Sequence, residues 1–354
     1  MKKITLLAAL LAAPICAQMQ RSGVTSGLGY FPVTIKLKNG HLLTVLRGGA
    51  PHVGIKGRLD LVRSTNGGKT WSKPWTAVDD AQDDRNPAIG QMRDGSIVLA
   101  YCVLSGFDAT GLKLSPNRSE RKFDGVYIVR STDNGKTWTK PVRDAGTFDF
   151  YKLDGAISPY GKIVQLKDGS AAMAVYFEFH DGRGNESYLF RSRDNGVTWG
   201  EPVLLGRHFN ETGIVQLDDG RIVAAMRSEK GGHVAITASN DNGKNWSEPR
   251  QITRDNEHPA DLIQLSSGHL LMTYGQRNAP RGVHAKISRD GGTSWDQEHS
   301  IVLAADSPNG DCGYPSSVET RKGRIVTIYY QVDDLKDAPA SSKAKSVIWQ
   351  APSK

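Results

Sequence analysis

Eight polar side chains stand beside short apolar segments and are the candidates for chemistry: Tyr314, Glu211, Asp84, His52, Arg227, Arg281, Arg277 and Arg85. A guanidinium fork can clamp a carboxylate through paired, charge-assisted hydrogen bonds, a geometry that lysine does not offer. A phenol, with a pKa of about 10, becomes a competent nucleophile when a neighbouring carboxylate takes its proton, so Tyr314 beside Glu211 would form a coherent pair. His52 could give or take a proton near neutrality. Gathered together, these groups make a polar, cationic cup suited to an acidic sugar. They are spread from position 52 to position 314, so only an architecture that repeatedly returns the backbone to one place can assemble them.

The repeats describe such an architecture. The pattern Ser-x-Asp/Asn-x-Gly-x-x-Trp occurs five times, ending at Trp71, Trp138, Trp199, Trp246 and Trp295. A Gly turn followed by an apolar strand recurs six times, at Gly40, Gly95, Gly169, Gly220, Gly268 and Gly323. Interleaved, the two motifs give six units, each reading as four short strands with the Asp-box turn between the third and fourth. Four strands at a period of about 50 residues predict an all-β chain, a six-bladed β-propeller with four-stranded antiparallel blades. The sixth unit lacks an Asp box, and its last strand is expected at Ser346-Val347-Ile348-Trp349. The segment before Tyr30 then helps close the ring, which removes free sheet edges.

Within each box, Ser and Asp can hydrogen-bond nearby backbone, Gly permits a positive φ, and Trp buries a large apolar area between blades. These carboxylates therefore read as structural, on the face opposite the variable loops. None of the turns has the ligand count of an EF-hand loop, so no metal and no other cofactor is expected. On the other face converge the residues that begin each inner strand: Gly29-Tyr30, Asp84-Arg85-Asn86, Ser158-Pro159-Tyr160, Asn210-Glu211, Glu257-His258 and Asp311-Cys312-Gly313-Tyr314. The adjoining loops add His52, Arg227, Arg277 and Arg281.

Five Asp boxes on six blades resemble the sialidase superfamily over nearly the whole mature length. The run Asn210-Glu211-Thr212-Gly213 followed by Met226-Arg227 is similar to a family segment, which implies that Glu211 assists a catalytic Tyr as base and that Arg227 binds the substrate carboxylate. Tyr274 to Arg281 resembles the stretch that supplies another family Arg, with Arg281 the better-spaced match and Arg277 the alternative. Gly313-Tyr314-Pro315-Ser316-Ser317 resembles the segment holding the nucleophilic Tyr.

The departures are equally specific. The family opens blade one with Phe-Arg-Ile-Pro, whereas this chain has Tyr30-Phe31-Pro32-Val33. The family Glu that supports that Arg is replaced by Gln331 after Tyr329-Tyr330. The blade-one loop from Gly48 to Gly57 carries no carboxylate to act as acid/base, and His52 is its only proton-transfer group. Asp84 and Arg85 could replace the missing Asp and Arg. Three readings follow from these residues: an exo-acting glycoside hydrolase on a terminal acidic sugar, a uronate lyase, and an inert carbohydrate-binding propeller.

Composition narrows the setting. Lys2 and Lys3, the apolar run from Leu6 to Ala13 and a small residue at Ala17 form a signal peptide over residues 1–17, leaving 18–354 as one propeller domain. A secreted or periplasmic protein is implied, and Ala13-Pro14-Ile15-Cys16 lacks the Leu of a lipidation motif. No later stretch approaches the ~20 apolar residues of a membrane span. The formal charge of +8 falls by two when the leader is lost and is dispersed, which argues against nucleic acid but suits an anionic ligand. A monomer is expected. Cys102 and Cys312 are too few for a disulfide framework, and they fall in blades two and six, where no bond between them is expected.

Overall fold

The computed structural model describes residues 19–25, 27–117, 120–147, 155–333 and 342–352; the expected signal peptide lies outside them. The described residues form 24 strands in chain order, six groups of four. Blade one is β2 (Tyr30–Lys36), β3 (Leu42–Gly48), β4 (Arg58–Ser64) and β5 (Trp75–Val78). Blade two is β6 (Asp83–Gln91), β7 (Ile97–Ser105), β8 (Lys122–Ser131) and β9 (Val142–Arg143), and blade three is β10 (Gly155–Gln165), β11 (Ala171–Phe179), β12 (Gly184–Ser192) and β13 (Gly200–Arg207). Blade four is β14 (Phe209–Gln216), β15 (Ile222–Ser228), β16 (Val234–Ser239) and β17 (Arg250–Gln251). Blade five is β18 (Glu257–Gln264), β19 (Leu270–Gln276), β20 (Gly282–Ser288) and β21 (Ile301–Ala304). Blade six is β22 (Cys312–Arg321), β23 (Arg324–Val332), β24 (Ser342–Gln350) and, from the other end of the chain, β1 (Gln20–Gly23).

Pairing within every blade is antiparallel, and blades two and three are fused into one eight-stranded sheet by parallel bridges from Gly161 and Lys162 to Ala88 and Ile89. The ring closes as expected: β1 pairs with β24 as the outermost strand of blade six, and β22 packs beside β2. The strand expected at Ser346–Trp349 is longer and lies third from the axis.

Because every blade is covered on both faces, its second strand loses the polar/apolar alternation of a half-buried strand: all seven residues of β3 and of β19 are buried. Among the described residues the apolar core is correspondingly divided into six clusters, one per blade interface, such as Val33, Leu43 and Leu61 of blade one against Ile89, Ile97 and Leu99 of blade two, and a seventh of Tyr30, Phe31, Tyr314, Tyr330 and Val332 near the axis. Each fully buried Leu or Ile contributes about 1.5–3 kcal/mol. The box tryptophans pack on these clusters, Trp71, Trp138, Trp199, Trp246 and Trp295 each covering one.

Polar latches repeat in the same rhythm. The backbone N–H groups of Lys38, Arg93, Lys167, Asp218 and Ser266 donate at 2.7–2.8 Å to Gln91, Gln165, Gln216, Gln264 and Glu319, each at the end of the next blade's inner strand. The Asp boxes behave as structural turns: each Ser hydroxyl accepts from the box Gly N–H at 2.8–2.9 Å. The side chain of Asn66, Asp133, Asp194, Asp241 or Asp290 accepts from the backbone of its own turn. Box Gly196 has φ +78° and lies so close to blade two that a Cβ would meet Val98 Cγ2 at 2.6 Å.

Two outcomes are expected. Gly196→Ala should lower unfolding free energy by about 1–3 kcal/mol in urea titration, through backbone strain and the blade contact together. Side-chain donation from Thr137 and Ser294 holds the Asp133 and Asp290 carboxyls below the usual range, Asp290 at about 2, and backbone N–H donation from Asn245 does the same for Asp241. Depressed carboxylates stabilise the fold fully above their unfolded pKa of about 4 and lose that contribution as pH falls. The melting temperature should therefore drop between pH 4 and 2, and Asp133→Asn should flatten that slope.

Candidate active site

The inner strands do not run straight to the axial face. Antiparallel register breaks near that end of all six, between Tyr30 and Val33, Arg85 and Ala88, Tyr160 and Val164, Phe209 and Thr212, Glu257 and Ala260, and Gly313 and Ser316. A bulge ends pairing and re-aims side chains. At Phe31, Asn86 and Tyr314 the backbone enters the left-handed region (φ 50°, 50° and 48°), each time just before a proline. Such conformations cost about 1–3 kcal/mol and mark sites where position matters more than stability. Next to Tyr314, Gly313 lies so near blade five that a Cβ there would be 2.8 Å from Gly275 Cα, which leaves room for no side chain.

This backbone delivers Tyr314 to Glu211 across the axis. The Tyr314 hydroxyl donates to Glu211 Oε1, and Arg227 Nη1 donates to Glu211 Oε2 at 2.5 Å and to the Tyr314 hydroxyl at 3.5 Å. Tyr314 and Glu211 are 8% and 7% exposed, so the pair works in a poorly hydrated setting. Burial first, then the Glu211 charge, pushes the phenol well above its ordinary value. Burial disfavours the Arg227 cation, but the Glu211 carboxylate overrides it and the net direction is upward. The phenol thus holds its proton in the folded protein.

Two further guanidiniums flank this centre. Arg277 lies over the Tyr314 ring at 5.7 Å, and Arg85 lies over the Phe31 ring at 5.8 Å, while Phe31 packs on Tyr314 at 4.8 Å between centroids. The Nε atoms of Arg85, Arg227 and Arg277 are all buried without a hydrogen-bond partner among the described residues. His52 is also on this face, with Nδ1 3.0 Å from both oxygens of Asp311 and its ring edge-on to Phe31 at 5.1 Å.

The structure separates one of the eight candidates from the rest. Arg281, the last residue of its loop, accepts from Ser307 N at 3.0 Å through its backbone carbonyl, and its charge, like that of Arg277, acts on Cys312 two residues before Tyr314; Arg277 is the one that lies over the Tyr314 ring. Asp84 is fully buried and turned away, accepting from Asp80 N at 2.8 Å, and burial raises its carboxyl to about 7. Its contacts do not reach Tyr314 or Glu211.

Two contributors, Arg47 and Asp83, were missed at the level of sequence, and two others, Asp311 and His258, were placed on this face but given no role. Arg47, wholly buried, donates from Nε to Asp83 Oδ1 at 2.7 Å, while Asp83 Oδ2 is 3.3 Å from Arg85 Nη1, so one carboxylate ties Arg85 to blade one. Asp311 holds His52. His258 lies against Gly232, and burial followed by the charges of Arg227 and Arg277 drives it to about 2, so it fills its place as a neutral ring. A signal for Arg47 existed: it is the penultimate residue of the second strand of its blade, as Arg227 is in blade four. Beneath the site the axial residues Phe31, Asn86, Tyr160 and Tyr314 enclose a cavity of about 20 Å³, room for about one water. Still in the axial region, Lys162 and Asp261 form an ion pair at 2.5 Å.

Among the described residues no group of three or more His, Cys, Asp and Glu could hold a metal ion, and no helix is long and apolar enough to cross a membrane. Cys102 and Cys312 are buried and free.

The propeller and its axial Tyr–Glu–Arg constellation define a sialidase-type architecture, and the comparisons agree. Residues 34–327 match the BNR repeat-like domain, and the chain belongs to that family. It is 25% identical over 271 residues to the protein named Sialidase of Bacteroides fragilis strain YCH46, covering 69% of this chain and 49% of that one. It is 25% identical over 198 residues to Sialidase of Clostridium perfringens, covering 52% and 50%. The chain thus spans about half the length of the curated relatives it matches. Among solved structures, a Dyadobacter fermentans protein of unknown function superposes with a TM-score of 0.77 at 25% identity, over 94% of this chain and 100% of that chain. The Hadza microbial sialidase Hz136 gives 0.68 at 18% identity, over 92% and 68%, a likeness of fold.

Removing Asp83 would leave Arg47 buried without its counter-charge. Asp83→Ala is expected to cost about 3–5 kcal/mol in equilibrium urea unfolding. Gly57→Ala should act in the same direction, since its Cβ would fall 1.8 Å from Asp83 Oδ1.

Proposed function

We propose that this protein is an exported, exo-acting, sialidase-like glycoside hydrolase that removes a terminal acidic sugar, a sialic acid, related keto acid or uronic acid. The observation that carries the reading is the Tyr314 hydroxyl donated to Glu211 with Arg227 on the other carboxylate oxygen. Tyr314 attacks the anomeric carbon while Glu211 takes its proton, so the nucleophile needs no free phenolate and presents no negative charge to an anionic substrate. Arg227, Arg277 and Arg85 receive the sugar carboxylate; their unpartnered Nε donors and the low exposure of the centre favour an anion that brings its own acceptors. Arg85, reaching in from blade two, stands in for the Arg that blade one lacks. The relatives named as sialidases support the same class of reaction.

The test is release of aryl alcohol from aryl glycosides of sialic acid, keto acids and uronic acids. At least one should be hydrolysed, with Glu211→Gln lowering kcat/KM by ~10²–10⁴-fold and Tyr314→Phe by at least as much. A rise in ultraviolet absorbance from an unsaturated uronate, without aryl release, would replace hydrolysis by elimination. Binding of acidic sugars with no turnover would make the propeller a carbohydrate-binding module.

A further inference from the structure

Resting on that hydrolase reading, the geometry points to a His52–Asp311 dyad as the proton-transfer group of the site, with Asp311 as the positioning residue that fixes the imidazole. The loop that carries His52 contains no carboxylate from Gly48 to Gly57, so a departing sugar oxygen must receive its proton from something else. His52 Nδ1 is 3.0 Å from each oxygen of Asp311, which spends that nitrogen as a donor to the carboxylate; Nε2 has no hydrogen bond among the described residues. Asp311 is itself anchored by the Tyr330 hydroxyl, which donates at 2.6 Å to Oδ1.

The loop is held just as firmly. Arg47 Nη1 donates to the carbonyls of Ala50 and Pro51 at 3.2 and 2.5 Å, and Nη2 to that of Gly54 at 3.2 Å, bracketing His52 on both sides. The ring is wedged against Tyr30 and Phe31 at 5.5 and 5.1 Å between centroids. Phe31 is the same ring that packs on Tyr314, which puts the dyad and the nucleophile on one aromatic platform. The His52 side chain is 44% exposed, open to a substrate as Asp84 is not. An idle surface histidine would need neither a two-oxygen carboxylate partner nor a buried arginine dedicated to its loop.

The proton balance closes over two steps. Protonated His52 gives its Nε2 proton to the glycosidic oxygen as the sugar–oxygen bond breaks and the bond from Tyr314 to the anomeric carbon forms, with the phenolic proton passing to Glu211. Neutral His52 then takes a proton from the water that attacks the anomeric carbon, Tyr314 departs and recovers its proton from Glu211, and both groups return to their starting states. Asp311 stays ionised throughout, holding the tautomer that leaves Nε2 free for transfer.

One measurement needs no substrate: two-bond ¹H–¹⁵N spectra of ¹⁵N-histidine-labelled protein, with His52→Gln to assign the resonance. Neutral His52 should be the Nδ1–H tautomer in the wild type and should shift toward Nε2–H in Asp311→Asn, whose amide can donate to Nδ1. The same tautomer in both proteins, with both folded by circular dichroism, would overturn the dyad. The second compares leaving groups. His52→Gln should lower kcat/KM by ~10²–10⁴-fold for an unactivated alcohol leaving group and by less than about tenfold for a nitrophenol, which needs little protonation. Equal losses on both would contradict proton donation by His52. Absence of all hydrolysis by the wild type would overturn the hydrolase reading instead, leaving the tautomer experiment to decide the dyad.

Discussion

The arrangement of this protein turns on one hydrogen bond between residues 103 apart in sequence, the Tyr314 hydroxyl of blade six donated to Glu211 of blade four. Everything near the axis is shaped by the need to bring those atoms together. Six inner strands break register, four of them enter left-handed backbone, three at residues other than glycine, and Gly313 lies so close to Gly275 that it can carry no side chain. A propeller can bear that local cost because its stability resides elsewhere, in six separate apolar interfaces and in latches repeated from blade to blade. The site is strained where the scaffold is redundant.

Charge is handled by the same division of labour. Glu211 and Asp83 are buried carboxylates of the cup, and each is paired with arginine: Arg227 on the first, Arg47 and Arg85 on the second. Three guanidiniums with unpartnered Nε atoms are left facing a pair of aromatic rings. Phe31 holds the blade-one position where the resemblance led to the expectation of an Arg, and Arg85 from the neighbouring strand lies over its ring.

Much of this was legible in the sequence because repeats are counted rather than judged. Five Asp boxes and six Gly turns set the blade number, the phase of the strands and the face on which the site would lie. Tyr314, Glu211 and Arg227 followed from phase plus resemblance. What escaped the reading depends on side-chain direction. Period-two alternation places Asp83 and Arg85 on one side of β6 and Asp84 on the other, so the neighbouring letters Asp84-Arg85 split, one into the loop packing and one into the site. In blade five, Arg277 directly follows the last residue of β19 and lies over the Tyr314 ring, whereas Arg281 is the last residue of the loop before β20. Arg47, and the role of Asp311, became visible only once their partners, a loop of carbonyl groups and an imidazole, were placed in space.

The central claim is that Tyr314 is the atom donor to the sugar, and trapping the covalent species tests it most directly. The protein would be incubated with a fluorine-deactivated acidic glycosyl fluoride of the sugar it hydrolyses, digested, and its peptides weighed. The account predicts one added glycosyl group on the peptide containing Tyr314, absent from Tyr314→Phe. A glycosyl group carried instead by Glu211, or steady turnover of the parent glycoside with no peptide ever labelled, would contradict it.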